Sequence, residues 1–145
     1  MNLGVFLPCV YQTERQKQVP DFVQEYDCTI RNRLSELAYG TDKWFELTLD
    51  TSTLTATLVQ MLDEFGLPFF EQFPDYAAVL DYYRAHGRLP FQNSGRATLE
   101  AGIIAHHLGD VQRAQQLFVE AHSTGHEGFR QHVSIIANRL GHQVA

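Results

Sequence analysis

Two arginines separated by one residue, Arg31 and Arg33, are the charges best placed to do chemistry in this chain. On a strand, alternate side chains share a face, so both guanidinium groups would point the same way. If the segment around Trp44 lies beside that strand, the pair makes a cationic shelf with an aromatic wall. Such a shelf holds a carboxylate or a phosphate through bidentate hydrogen bonds. The plainer arrangement is local neutralisation by Asp27, Glu36 or Glu46. Arg96 follows Asn93-Ser94-Gly95 at the start of a helical stretch, where free amides can also take an anion. Capping of that helix by Ser94 is the simpler use of the same residues. Arg31, Arg33, Trp44 and Arg96 form the candidate ligand-binding set.

Other reactive residue types are present without the spacing that chemistry needs. Four of the seven histidines lie between His122 and His142. His122 and His126 are four apart, but Ser123-Thr124-Gly125 reads as a helix break, which removes the shared face that two metal ligands require. His126-Glu127 lacks a second histidine at metalloprotease spacing, since His132 comes too late. Cys9 and Cys28 are too few for a disulfide framework and have no evident base to activate a thiolate. No catalytic residue, metal or cofactor is assigned. A glycine-rich phosphate loop is absent from the sequence.

Composition narrows the class of protein. The chain has 145 residues, 44% hydrophobic, 19% charged and 12% aromatic, as expected for one globular domain spanning residues 1–145. A net charge of −6 argues against binding a nucleic-acid backbone as the main task. No apolar stretch approaches the roughly 18 residues of a membrane span, and Met1-Asn2-Leu3-Gly4 lacks the charged head of a signal peptide. A cytoplasmic location follows as the expectation, with neither nucleic acid nor membrane as partner.

The elements that position these residues divide at about residue 50. Leu3, Val5 and Leu7, interleaved with Gly4 and Phe6, suit a strand near 2–8 that is apolar on both faces, and Pro8 ends its pairing. Residues 11–26 are a polar arm. Residues 28–36 allow two readings: alternation of Cys28, Ile30, Asn32 and Leu34 suits a strand, whereas Ile30, Leu34 and Leu37 suit a helix ended by Gly40. Residues 43–49 favour a strand. About five helices follow over 51–145. The first carries Leu54, Leu58, Met61, Leu62 and Phe65 and closes at Gly66 and Pro68. The others are expected from Tyr76 to Gly87, Gly95 to Leu108, Asp110 to Ser123 and His126 to Leu140. The fold class is therefore α+β: a small N-terminal sheet, then a helical part whose last three helices form a hairpin plus one.

Two resemblances follow from particular residues. Gly102, Gly109, Ala114, Phe118 and Ala121 have the spacing of a single tetratricopeptide repeat, in which small residues let two antiparallel helices approach while an aromatic fills the gap. The repeat's other aromatics and closing proline fall on Thr98, Ala105 and His126, and arrays of this kind need about three repeats to stand alone. In the N-terminal half, Leu3-Gly4-Val5-Phe6-Leu7-Pro8, then Cys28-Thr29-Ile30-Arg31-Asn32-Arg33, then Asp42-Lys43-Trp44-Phe45 resemble the ordered boxes of a bacterial domain-of-unknown-function family. Phe45 stands where that family usually has a second tryptophan. The resemblance implies further strands and a helix upstream of the first box, a part absent here, so the first strand would be missing a neighbour.

An apolar strand with an open edge invites pairing with another chain. The expected function is accordingly a non-enzymatic interaction module, a homo-oligomer joined through its N-terminal strand, with its helical face available to a protein or peptide. The alternative is a small-molecule binder or enzyme, its pocket lined by arginine and by Trp44, Phe69, Phe70, Phe73, Tyr82 and Tyr83. A deep aromatic cavity would favour the pocket. A filled core with an exposed groove would favour the module.

Overall fold

The chain between Ile30 and Gly40 takes both readings in turn. In a computed structural model describing residues 2–5 (backbone), 29–44, 51–90 and 93–144, strand β1 (Asn2–Val5) pairs antiparallel with β2 (Ile30–Arg33). The register sets Leu3 opposite Asn32 and Val5 opposite Ile30. At Leu34 the backbone turns directly into helix α1 (Leu34–Tyr39), so the strand expected over 28–36 is half as long as proposed. Leu-Ser-Glu-Leu-Ala-Tyr has no run of β-branched residues to hold it extended, and Gly40 ends the helix with φ of 69°, its amide bonding to the Glu36 carbonyl at 2.8 Å. Among the described residues the sheet is this two-stranded ribbon, and the fold is dominated by helices. Lys43 and Trp44 are not in a strand; the rest of the 43–49 segment, the arm 11–26 and both cysteines lie outside the described residues.

The next helix does not stop at Gly66. Helix α2 (Ser52–Met61) runs through a π turn (Leu62–Gly66) into α3 (Leu67–Glu71) without a break. Pro68 has no amide hydrogen, and its ring would collide with a carbonyl four residues back in a regular α-helix. The wider π turn opens the ladder just where the proline enters, and Pro68 then sits in the first turn of α3. Phe69, Phe70 and Phe73, read above as near a pocket, pack on one another with ring centroids 5.4–5.6 Å apart, and Phe69 and Phe73 are buried.

Short side-chain caps set the remaining helices. Asp75 accepts the Ala78 amide at 2.9 Å to start α4 (Tyr76–His86), which ends at Gly87 with φ of 64°. Asn93, rather than the expected Ser94, caps α5 (Ser94–His107) by accepting the Arg96 amide at 2.9 Å. Asp110 caps α6 (Val111–Thr124), and the His126 ring caps α7 (Glu127–Arg139) through the Phe129 amide. The five expected helical stretches are thus present within one to three residues, apart from the extension through Pro68.

Helix α5 is the centre of the molecule. Every residue from Ala97 to Ala105 is buried, so the helix is covered all round, with α4 and α6 packed against it. Its polar residues in the core are matched: Thr98 donates to the Ser94 carbonyl at 2.9 Å, which leaves Tyr83 to donate to Thr98 at 2.8 Å. Ile30 of β2 joins the same apolar cluster as Phe69, Val79, Ile104, Phe118 and Ile136.

The α5–α6 hairpin closes on glycine and alanine. A Cβ built on Gly102 would stand 3.1 Å from two ring carbons of Phe118 and 3.3 Å from Leu117 Cβ. Ala105, Ala114 and Ala121 are fully buried along the same hairpin. Gly102→Ala is therefore expected to destabilise by about 1–3 kcal/mol, because the Phe118 ring has no free space to retreat into. Urea denaturation checks this, and a gain in stability on adding the methyl group would show that the helices can part at no cost.

Candidate functional site

Arg31 and Arg33 both stand on β2, as expected, two residues apart. The structure pairs the Arg33 guanidinium with Asp42 Oδ2, and Ser35 donates to Asp42 Oδ1 at 3.2 Å. Asp42 therefore spans the strand end and the first turn of α1; of the three acids weighed from the sequence, Asp27 and Glu46 lie outside the described residues. The loop carrying Asp42 brings Trp44 to the same end of the ribbon. There Trp44 is 88% exposed, standing out from the surface rather than walling a pocket. Beside it Lys43 Nζ lies 4.6 Å from the centroid of the Tyr39 ring, a cation–π contact, and the Tyr39 hydroxyl reaches Met61 Sδ at 3.8 Å. These contacts tie α1 to α2. They leave the Asp42 carboxylate held between two donors, the Arg33 guanidinium and the Ser35 hydroxyl.

Arg96 belongs to a different place. Its Nε donates to Glu100 Oε1 at 2.7 Å, one helical turn along α5. Glu100 is fully buried, whereas the Arg96 side chain keeps 23% exposure. A buried carboxylate needs a paired cation to offset its lost hydration. The guanidinium is thereby committed to the core acid at the helix start where an anion was considered.

The aromatics named for a pocket fill space instead of lining it. Phe69, Phe73 and Tyr83 are buried in the main cluster, and Tyr82 sits edge-on to Phe73 at 5.2 Å. An open groove of about 700 Å³ lies at the junction of α6 and α7, bordered by His122, Glu127, Arg130, Gln131, Ser134 and Ile135. His122 lies on α6 and His126 is the cap of α7, so the helix break read from Ser123-Thr124-Gly125 does separate them, one residue later at Gly125.

A polar cluster that the sequence did not indicate joins residues 36 apart. His106 Nδ1, in the last turn of α5, is 3.0 Å from His142 Nε2. His142 Nδ1 is 3.2 Å from Gln115 Oε1 on α6, and its ring lies 5.0 Å from Phe118. Gln115 also accepts the Gln143 amide at 3.3 Å and donates to the Gln143 carbonyl at 2.5 Å. Those two bonds fix the orientation of its amide, so His142 Nδ1–H donates to Oε1 and the Nε2 of neutral His142 accepts a hydrogen bond from His106 Nδ1–H. His142 is buried. Burial, and secondarily the neighbouring His106 ring, hold its imidazole below the ordinary histidine value.

No helix among the described residues is long and apolar enough to cross a membrane. No curated protein and no solved structure matches the chain. Residues 1–72, which run from the ribbon through α1 to the end of the α2–α3 rod, match the model of a family described as a domain of unknown function, DUF4304, and the first half of this chain is similar to that family.

Proposed function

We propose that the chain is a non-enzymatic interaction module that self-associates through β1. The observation that supports this reading is the ribbon itself: among the described residues the sheet consists of β1 paired with β2. Two-stranded ribbons are marginal by themselves and gain from a further strand, and an apolar segment such as Leu3-Gly4-Val5 is a ready template for one. The pocket alternative has less support. Phe69, Phe73 and Tyr83 are spent on the core, Trp44 is exposed, and Arg33 and Arg96 each hold a carboxylate of the same chain.

In this reading a second copy lays its own β1 along the first, completing the sheet, while the α6–α7 side stays open to a protein or peptide. Light scattering after size exclusion at micromolar concentration is expected to give a dimer or a higher closed assembly. Leu3→Lys, which places a charge on the joining strand, is expected to return the monomer while leaving the helical circular-dichroism signal intact. A wild-type monomer, or an assembly indifferent to that lysine, overturns the proposal.

A further inference from the structure

The segment after α7 is held by Leu140 and Val144 packed on the core cluster, by the two Gln143–Gln115 bonds, and by the His142 ring between α5 and α6. The His142 ring lies tilted against Phe118, its amide bonds to the Ala137 carbonyl at 2.8 Å, and its two ring nitrogens bridge α5 and α6. The groups facing it are His106 from α5, with His107 edge-on behind at 5.6 Å, and the uncharged Gln115 and Phe118 from α6. The charges at the start of α6 are engaged elsewhere: Asp110 with Arg84 and the Arg113 amide, and the Arg113 guanidinium with Gln116. The His106 and His142 centroids are 5.2 Å apart with a 3.0 Å nitrogen separation, so the two nitrogens aim at one another along a single hydrogen bond.

Such a bond has a definite capacity for protons. With both rings neutral, His106 donates to His142. With one added proton the pair is an imidazolium–imidazole, and one nitrogen still faces a donor with a lone pair. With a second proton, two N–H groups and two positive charges oppose each other at 3.0 Å. We propose that the His106–His142 pair is an acid-released latch, which holds the segment Leu140–Val144 on the α5–α6 hairpin with no proton or one and lets it go with two. Release uncovers the Phe118 ring at that end of the hairpin. The direction agrees with the lowered affinity of His142 for a proton: the folded chain binds it less readily than the unfolded one, so this contribution stands at neutral pH and is lost on acidification.

Amide exchange followed by NMR, corrected for intrinsic rates, tests the latch between about pH 8 and about pH 4.5. The Gln143 amide is expected to exchange at least about tenfold faster at the acid end, while Ile104 and Leu117 keep their protection. His106→Gln can accept from a protonated His142 and adds no charge, so its Gln143 amide is expected to stay protected across the range. His142→Ala is expected to be open at every pH. The latch is refuted if Gln143 protection is constant in the wild type, if His106→Gln opens at the same pH, or if Ile104 and Leu117 lose protection together with Gln143.

Discussion

Truncating Phe118 to alanine is expected to remove about 3–5 kcal/mol of unfolding free energy, the range for a fully buried phenylalanine whose neighbours cannot collapse into the space. The ring is completely inaccessible, sits against the bare Cα of Gly102 on one side, and is covered by His142 on another. Neither neighbour can follow it inward: Gly102 has no side chain, and His142 is held by Gln115 and His106. Urea denaturation of Phe118→Ala and Phe118→Leu gives the measurement, with leucine recovering part of the loss. A cost below about 1 kcal/mol for alanine would mean that the α5–α6 contact is not a principal source of stability.

Arg96→Met is expected to cost a comparable amount, about 3–5 kcal/mol, for an electrostatic reason. It strands the Glu100 carboxylate in the core with its guanidinium partner gone. The reverse change, Glu100→Leu, should cost less, because Arg96 retains a partly exposed side chain that can turn toward water. Replacing both, as Arg96→Met with Glu100→Leu, is expected to return stability to within about 1 kcal/mol of the wild type, since a buried pair often contributes little over an apolar one. The three variants and the parent form a double-mutant cycle, read by denaturant midpoint and slope. Equal losses from both single changes, added in the double, would show that the two side chains do not depend on each other.

The helical half was legible because its signals are local. Asp110 and the glycines at 87 and 109 mark helix ends, and the apolar spacing between them fixes which face turns inward. The shift from strand to helix at Leu34 was not, because Ile30 and Leu34 satisfy both periods at once and only pairing with β1 decides between them. Extension of the helix past Gly66 escaped for a related reason. Gly-Leu-Pro is a common stop, and the π turn that accommodates it leaves no mark in residue type.

The candidate site was legible in its residues and less so in their partners. Arg33 meets an acid nine positions along, reached only once α1 and Gly40 have folded the chain back. Arg96 and Glu100 have ordinary helical spacing, but their importance comes from Glu100 lying inside the molecule, which depends on how completely α5 is covered. His106 and His142 have no local relation at all. Their bond exists because α7 runs back along the hairpin and delivers the chain end to the last turn of α5.

The widened turn between α2 and α3 also sets a rotational phase. A π turn accommodates one residue more than an α-helix of the same rise, so everything after it is rotated by about 100° relative to an uninterrupted rod. Phe69, on α3, is buried with that offset in place. Deleting a single residue from 62–66 would restore an ordinary helix and swing the Phe69 ring away from the core, so loss of one residue there should be less tolerated than most substitutions of the same residue.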